Sequence, residues 1–243
     1  MKQEEFPQLN IDGARATIRF RRPAEANRID PSDLAVLRAH LERVTAATSV
    51  RVLVITGTGD KTFSSGYTIH AIREELDERF ESLLDTLESL PLPVVCALNG
   101  SVYGGAIDLA LCCDCRIGVK GSLMLMPAAR FGLHYYPGGI RRYVTRLGLS
   151  AAKKLFLTAQ PVEAEEMLRI GFLTELVEPE QLEAMVSQYV AAIVECEPNV
   201  VRSMKHFLNQ AAEGEFDVPA QRAAYEKFLK SDELGRRLAA RSK

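Results

Sequence analysis

Apolar and polar positions along the chain change period from about two to about 3.6 and back, which predicts strands alternating with helices. Ala16 to Arg22 alternates and reads as a strand, and Pro23 to Ile29 as a loop. Asp30-Pro31-Ser32-Asp33 then signals a helix start, with an N-cap candidate, proline in the first turn and an acid behind it. Leu34, Leu37, Leu41 and Val44 carry that helix to about Ala47, and Val50 to Thr56 is a continuously apolar strand, as expected when both faces are covered. A turn at Gly57 to Asp60 leads into Phe63-Ser64-Ser65-Gly66-Tyr67-Thr68-Ile69. A long helix is predicted over Ala71 to Leu90, with Phe80, Leu83, Leu84, Leu87 and Leu90 as its buried stripe. Further strands are predicted at Val94 to Leu98, Cys115 to Val119, Leu123 to Met126 and Leu173 to Val177. Helices are predicted from Pro137 to Gly148 (Ile140, Tyr143, Val144 and Leu147 inward), from a Ser150 cap to Leu157, and from Pro161 to Ile170. Everything beyond Pro179 is helical in pattern, beginning with the stripe Leu182, Met185, Val186, Tyr189, Val190 and Ile193.

An α/β core of parallel strands with a C-terminal helical appendage follows from this order, divided at residues 1–180 and 181–243. The unit of strand, strand plus turn, and helix recurs from Val50, Val94 and Cys115, which suits stacked ββα turns better than one flat sheet. Composition adds little: 47% hydrophobic and 26% charged residues over 243 positions are ordinary for a globular chain. A net charge of −2 gives no reason to expect nucleic acid. No apolar run reaches a membrane span, and Met1 to Pro7 has no signal-peptide core, so the expectation is a cytoplasmic protein without a membrane partner. Cys96, Cys112, Cys113, Cys115 and Cys196 sit in apolar surroundings and read as buried reduced thiols; with His40, His70, His134 and His206 scattered, no metal site is expected.

The chemistry concentrates in Asn99-Gly100-Ser101-Val102-Tyr103-Gly104-Gly105-Ala106-Ile107-Asp108-Leu109-Ala110. A strand, a glycine turn and a helix start in succession expose backbone N–H groups that have no intrahelical acceptor, and such donors suit an oxygen that becomes anionic during a reaction. Asp108 lies three residues past Gly105, one turn on, where its carboxylate can face whatever those donors hold.

With Val50 to Gly57, Phe63-Ser64-Ser65-Gly66, Asn99 to Ala110, Cys113-Asp114, Pro137-Gly138-Gly139 and Pro198 to Lys205 in this order, the chain resembles the crotonase (enoyl-CoA hydratase/isomerase) superfamily over nearly its whole length. The resemblance implies a spiral of ββα units with an all-helical C-terminal trimerisation region, a homotrimer or a hexamer built as a dimer of trimers, a coenzyme A thioester as substrate, and no metal or redox cofactor. It also implies an oxyanion hole made by the N–H groups of Tyr67 and Gly105. Removing one such donor typically costs roughly 2.7–4 kcal/mol of transition-state stabilisation. By motif position the acyl-CoA would meet Gly66, Thr68, Ile69, Tyr103, Gly104, Ala128 and Tyr136, and its CoA part the Pro23 to Arg28 loop through Ala24 and Ala26.

Two positions depart from the family's paired glutamates. The first is Asp108, still an acid but set back by roughly 1.5 Å for the missing methylene, against a proton-transfer reach of about 2.6–3.2 Å. The second is Ala128, which brings no acid at all. His134, Tyr135 and Tyr136 follow it, and His134 joins Asp108 as a candidate acid–base group. The leading expectation is an enzyme of the hydratase/isomerase type with Asp108 moving a proton. The alternatives are a hydrolase, lyase or decarboxylase using His134 or a tyrosine, and a non-catalytic CoA-binding scaffold. Arg141-Arg142 and Lys153-Lys154 are candidate phosphate contacts, and Asp114 a turn hydrogen-bond acceptor.

Overall fold

A computed structural model describes residues 5–241. The chain opens with a hairpin, β1 (Gln8–Asp12) and β2 (Arg15–Arg19), turning at Gly13 with φ +55°. β1 is not among the predicted strands although Leu9 and Ile11 alternate with polar residues, because it is short and almost wholly exposed. Helix α1 (Pro31–Ala46) follows, and the Asp30 N–H donates to the Asp33 carboxylate at 2.9 Å in a capping box. Next come β3 (Val52–Thr56), β4 (Thr62–Ser64), a short α2 (Ile72–Glu75) and α3 (Glu78–Glu88). The single helix expected over Ala71 to Leu90 is therefore two. Leu76 is extended, and Asp77 restarts the helix by accepting the Arg79 N–H at 2.9 Å.

β5 (Val94–Leu98), β6 (Ser101–Tyr103) and α4 (Gly105–Leu111) form the next turn, then β7 (Cys115–Val119) and β8 (Leu123–Leu125). Beyond the aromatic loop lie α5 (Pro137–Leu147) and α6 (Leu149–Thr158), the latter capped by Gly148 rather than Ser150. The helix expected over Pro161 to Ile170 is preceded by a two-residue strand, β9 (Val162–Glu163), which pairs with β8; only α7 (Ala164–Arg169) is helical. β10 (Glu175–Val177) is followed by α8 (Leu182–Glu195), α9 (Pro198–Glu213), α10 (Val218–Leu229) and α11 (Asp232–Arg241).

From β3 to β8 the strands go alternately to two sheets. One has the order β1-β2-β3-β5-β7-β10, parallel except for the β1–β2 hairpin, and the other β4-β6-β8-β9. Each pass of the chain thus lays one strand in each sheet and then a helix, which is a spiral of ββα units. Side chains of β3 alternate between the two faces of the larger sheet: Leu53 and Ile55 enter the main core with Ile18, Leu84 and Leu98, while Val52 and Val54 meet Val95, Ile117 and Val186 under α8. Burial of both faces explains why this strand lacks polar alternation. No described helix is long and apolar enough to cross a membrane.

Candidate active site

Two backbone segments meet at the centre of the site. The first is held by the Arg22–Asp30 loop. Ala26 and Asn27 are left-handed, and the Asn27 amide donates to the carbonyls of Thr58 and Thr62, both at 2.9 Å. That fixes the loop against residues 65–68: Ser65 N–H donates to Ala26 at 2.8 Å, Ile29 N–H to Gly66 at 2.8 Å, and Thr68 N–H to Ile29 at 2.9 Å. In this parallel bridge Tyr67 turns its own N–H the other way, and it makes none of the described backbone hydrogen bonds. The second segment is fixed by Asn99, whose side chain accepts the Gly57 N–H at 2.9 Å and donates to the Gly59 carbonyl at 2.8 Å. Gly104, with φ +50°, turns the chain into α4, so the Gly105 N–H leads the helix and has no acceptor within it.

The two segments touch. A Cβ on Gly66 would stand 2.6 Å from the Tyr103 carbonyl oxygen and 2.9 Å from the Gly105 nitrogen, and φ there is +83°. A Cβ on Gly105 would fall 3.0 Å from the Phe80 ring and 3.7 Å from the Tyr67 nitrogen. Glycine is required at position 66 because backbone packs directly on backbone, and that contact brings the Tyr67 and Gly105 donors together.

They open on a cavity of about 800 Å³ lined by Tyr67, Ile69, Phe80, Tyr103, Leu125, Pro127, Phe131, Leu133, Tyr135 and Tyr136 among others. Ala26, Gly104 and Gly105 reach it, as does His134 at an exposed position, where Nδ1 sits 2.8 Å from the Tyr135 carbonyl. Ala24 is exposed outside it. Thr68 is turned into the protein, its hydroxyl bonded to Asp30 and to the Ile29 carbonyl, so its expected contact with substrate is not available to the side chain. Ala128 is buried and does not line the cavity either; its carbonyl accepts the Leu133 N–H at 3.0 Å. Asp77, Glu78 and Glu81 line the mouth, a role the sequence reading missed because these acids look like ordinary solvent-facing positions. No Lys or Arg is among the lining residues.

Asp108 is fully buried, and it is separated from the cavity by the tyrosines. The Tyr136 hydroxyl donates to Asp108 Oδ2, and Tyr136 itself lines the cavity. Oδ1 has no hydrogen-bond partner. Gly139 leaves room for the Tyr135 ring beside the carboxylate, since a Cβ there would collide with that ring at 2.3 Å and stand 3.0 Å from Oδ2. The Tyr135 ring stacks on Tyr136 with centroids 4.8 Å apart, and its hydroxyl is buried without a partner.

Arg142 stands on the other side of the carboxylate, with Nη1 at 3.5 Å from Oδ2, in ion-pair range and without a hydrogen bond. Its remaining donors are committed elsewhere: Nε to Glu88 at 2.9 Å and Nη2 to Asp85. Glu88 also accepts from Arg141 at 2.5 Å and Arg146 at 3.1 Å. Burial raises the Glu88 carboxyl, but the Arg141 and Arg142 guanidiniums outweigh it and hold it below the usual range. For Asp108 burial wins. It pushes the carboxyl up to about 7, Arg142 recovers only part of the shift, and Glu88 adds to it.

This cluster corrects two expectations. Arg141 and Arg142 are tied to α3 acids and, for Arg141, to Glu213 at 2.8 Å, so neither is free to meet phosphates. On α5 the fully buried positions are Arg142 and Tyr143, whereas Ile140 is 40% exposed. A charged residue on a helix's inner face breaks the apolar-stripe rule, and only its acidic partners, 54 and 57 positions earlier in the chain, could reveal it. Lys154 likewise pairs with Glu166 at 2.7 Å. Asp114 accepts the Val94 N–H and the Lys205 ammonium, both at 2.7 Å, a structural link. Cys96, Cys112 and Cys113 are buried thiols, but Cys196 is exposed at the end of α8.

The sequence profile of the family described as enoyl-CoA hydratase/isomerase matches residues 10–233. The chain belongs to the enoyl-CoA hydratase/isomerase family, in the crotonase superfamily. It is 29% identical to the short-chain-enoyl-CoA hydratase of Clostridium acetobutylicum, covering 86% of this chain and 83% of that protein. It is 30% identical to the methylmalonyl-CoA decarboxylase of Escherichia coli over 64% of this chain and 62% of that one. An enoyl-CoA hydratase/carnithine racemase structure from Magnetospirillum magneticum superposes with a TM-score of 0.89 at 25% identity, covering 96% and 91% of the two chains. Family and fold are thereby shown for this chain, and they support an acyl-CoA-processing enzyme.

Proposed function

We propose that this enzyme isomerises the double bond of an enoyl-CoA through a thioester enolate, using one proton carrier rather than two. The observation that supports this reading is the Tyr136–Asp108 couple behind the two open N–H groups, with no acid at Ala128. The Tyr67 and Gly105 N–H groups take the thioester oxygen, which gains negative charge as an α-proton leaves. That proton passes to the Tyr136 oxygen while the Tyr136 proton moves to Asp108. Reversal at the γ-carbon returns it, and no net charge or electron is transferred. The reaction therefore needs no metal or redox cofactor. A carboxyl at about 7 suits the task, because acid and base forms are both present near neutral pH. Hydration asks for two groups on one water, and the second is lacking.

The apolar lining and the acids Asp77, Glu78 and Glu81 favour an uncharged acyl chain. Decarboxylation of a carboxyacyl-CoA is the second reading. It too needs only an enolate site and one proton, and a cavity without Lys or Arg leaves a substrate carboxylate unstabilised. His134 at the rim is the reserve acid. A 3-enoyl-CoA, crotonyl-CoA and methylmalonyl-CoA offered in parallel separate the readings. Appearance of the conjugated thioester from the first, lost in Asp108→Ala, is expected; hydration of crotonyl-CoA or release of CO2 with the 3-enoyl-CoA untouched sinks the proposal. For assembly, the exposed Met204, Leu208, Tyr225, Leu229 and Leu238 support the expected trimer or hexamer, which sedimentation would test.

A further inference from the structure

We propose that Glu88 is a positioning residue of this site: it anchors the Arg142 guanidinium on α3 and so withholds that cation from Asp108. The proposal rests on the reading of Asp108 as the proton carrier, and its geometry is independent of that reading. A guanidinium grips a carboxylate best through two parallel N–H bonds. Arg142 cannot do so with Asp108. Nε is spent on Glu88 at 2.9 Å and Nη2 on Asp85, which leaves Nη1 at 3.5 Å. Glu88 in turn is clamped by Arg141 and Arg146, so it cannot yield its hold on Arg142 by a simple side-chain rotation.

The groups facing Asp108 are accounted for on every side. The aromatic loop supplies the Tyr136 and Tyr135 hydroxyls, α5 supplies Arg142 and the buried Tyr143 hydroxyl, and α4 itself supplies the Cys112 thiol. From α3, Glu88 and Asp85 act through Arg142, and Glu81 is turned to the Gly138 N–H at 3.3 Å. Of the cations among them, only Arg142 stands within ion-pair distance of Asp108. Whatever sets its share between α3 and α4 therefore tunes the proton affinity of Asp108 on top of burial. Burial raises the carboxyl most, Arg142 lowers it and Glu88 raises it, and the last two have the directions this sharing requires.

Glu88→Gln removes one negative charge and weakens the hold on Nε, because an amide oxygen accepts less strongly than a carboxylate. Both effects favour the carboxylate. In the full-length protein, the protonated-carboxyl infrared band assigned by its loss in Asp108→Asn should titrate about one pH unit or more below wild type, a tenfold or greater fall in proton affinity. The acid limb of kcat/KM for a 3-enoyl-CoA should move with it, and Glu88→Asp, which keeps the charge, should move both back towards wild type. An unchanged Asp108 titration in Glu88→Gln overturns the proposal. A shifted titration with an unmoved rate profile upholds it and removes Asp108 from catalysis instead. Should Glu88→Gln fail to fold, Asp85→Asn loosens Nη2 alone. It should lower the titration by less, because Asp85 is half exposed and screened, and no shift there overturns the proposal equally.

Discussion

Asp108→Asn tests the buried acid through stability, before any substrate is involved. An aspartate whose carboxyl stands near 7 in the folded chain and near 3.8 when unfolded binds a proton more tightly in the native state. Between those two values the native protein holds a proton that the unfolded chain has released, so stability falls as pH rises. The contribution is fully present below about pH 4 and is gone above about pH 7. The gap of about 3 units corresponds to roughly 4 kcal/mol at 1.36 kcal/mol per unit, of which relaxation around a buried ion pair leaves about 2–4 kcal/mol. Asparagine has nearly the same shape and does not titrate.

Subtracting the variant's stability from wild type removes the contributions of groups uncoupled to Asp108, such as Asp30, whose depressed carboxyl acts in the opposite sense at lower pH. The chain has no tryptophan, so urea denaturation followed by far-ultraviolet circular dichroism, at one fixed protein concentration from pH 4.5 to 8, is the suitable assay. The wild-type advantage should decline by at least about 2 kcal/mol across that range. A difference that stays constant with pH would refute the reasoning, because Asp108 would then carry the same charge folded and unfolded.

Tyr136→Phe should lower kcat by about 10²–10⁴ with little change in KM, since it removes the group between Asp108 and the cavity while keeping the ring; a change in KM alone would make the hydroxyl a binding group. Gly66→Ala should cut kcat/KM at least about 100-fold, because the new methyl meets the Tyr103 carbonyl at 2.6 Å and pushes the Tyr67 and Gly105 donors apart; near-wild-type turnover would move the oxyanion site elsewhere. Ala128→Glu should bring no crotonyl-CoA hydration and should lower the melting temperature, since position 128 is buried outside the cavity lining; a gain of hydratase activity would show that the side chain reaches substrate.

Much of this was legible in the chain because local chemistry and tertiary demand agree there. Gly66 announces backbone packed on backbone, Gly104 a turn with positive φ, and the continuously apolar Val52 to Thr56 a strand covered on both faces. Where the sequence misled, the deciding partner was remote. Asp77 looks like an acid inside a long amphipathic helix until its side chain is seen capping α3. Arg142 looks like half of an exposed basic pair until Glu88, 54 positions earlier, is seen to accept from it. The Asp108 site was found as a carboxylate near two donors, yet periodicity carried no sign that Tyr136 would stand between them.

That interposed tyrosine ties the two departures from the family's glutamate pair together. A carboxylate shortened to Asp108 and sunk behind a ring does not line the cavity, so in the proposed mechanism its proton travels through the hydroxyl that covers it. Covering it also strips its water, and the loss of water is what lifts it towards neutrality. An exposed aspartate at the same position would be ionised at pH 7 and would make a poor acid. The shorter side chain, the tyrosine lid, the Gly139 that leaves room for Tyr135 and the Arg142 held back by Glu88 are therefore parts of one device. Under the proposed isomerisation, together they keep a single proton mobile next to a developing enolate, which is the demand of a reaction that moves one proton and adds no water.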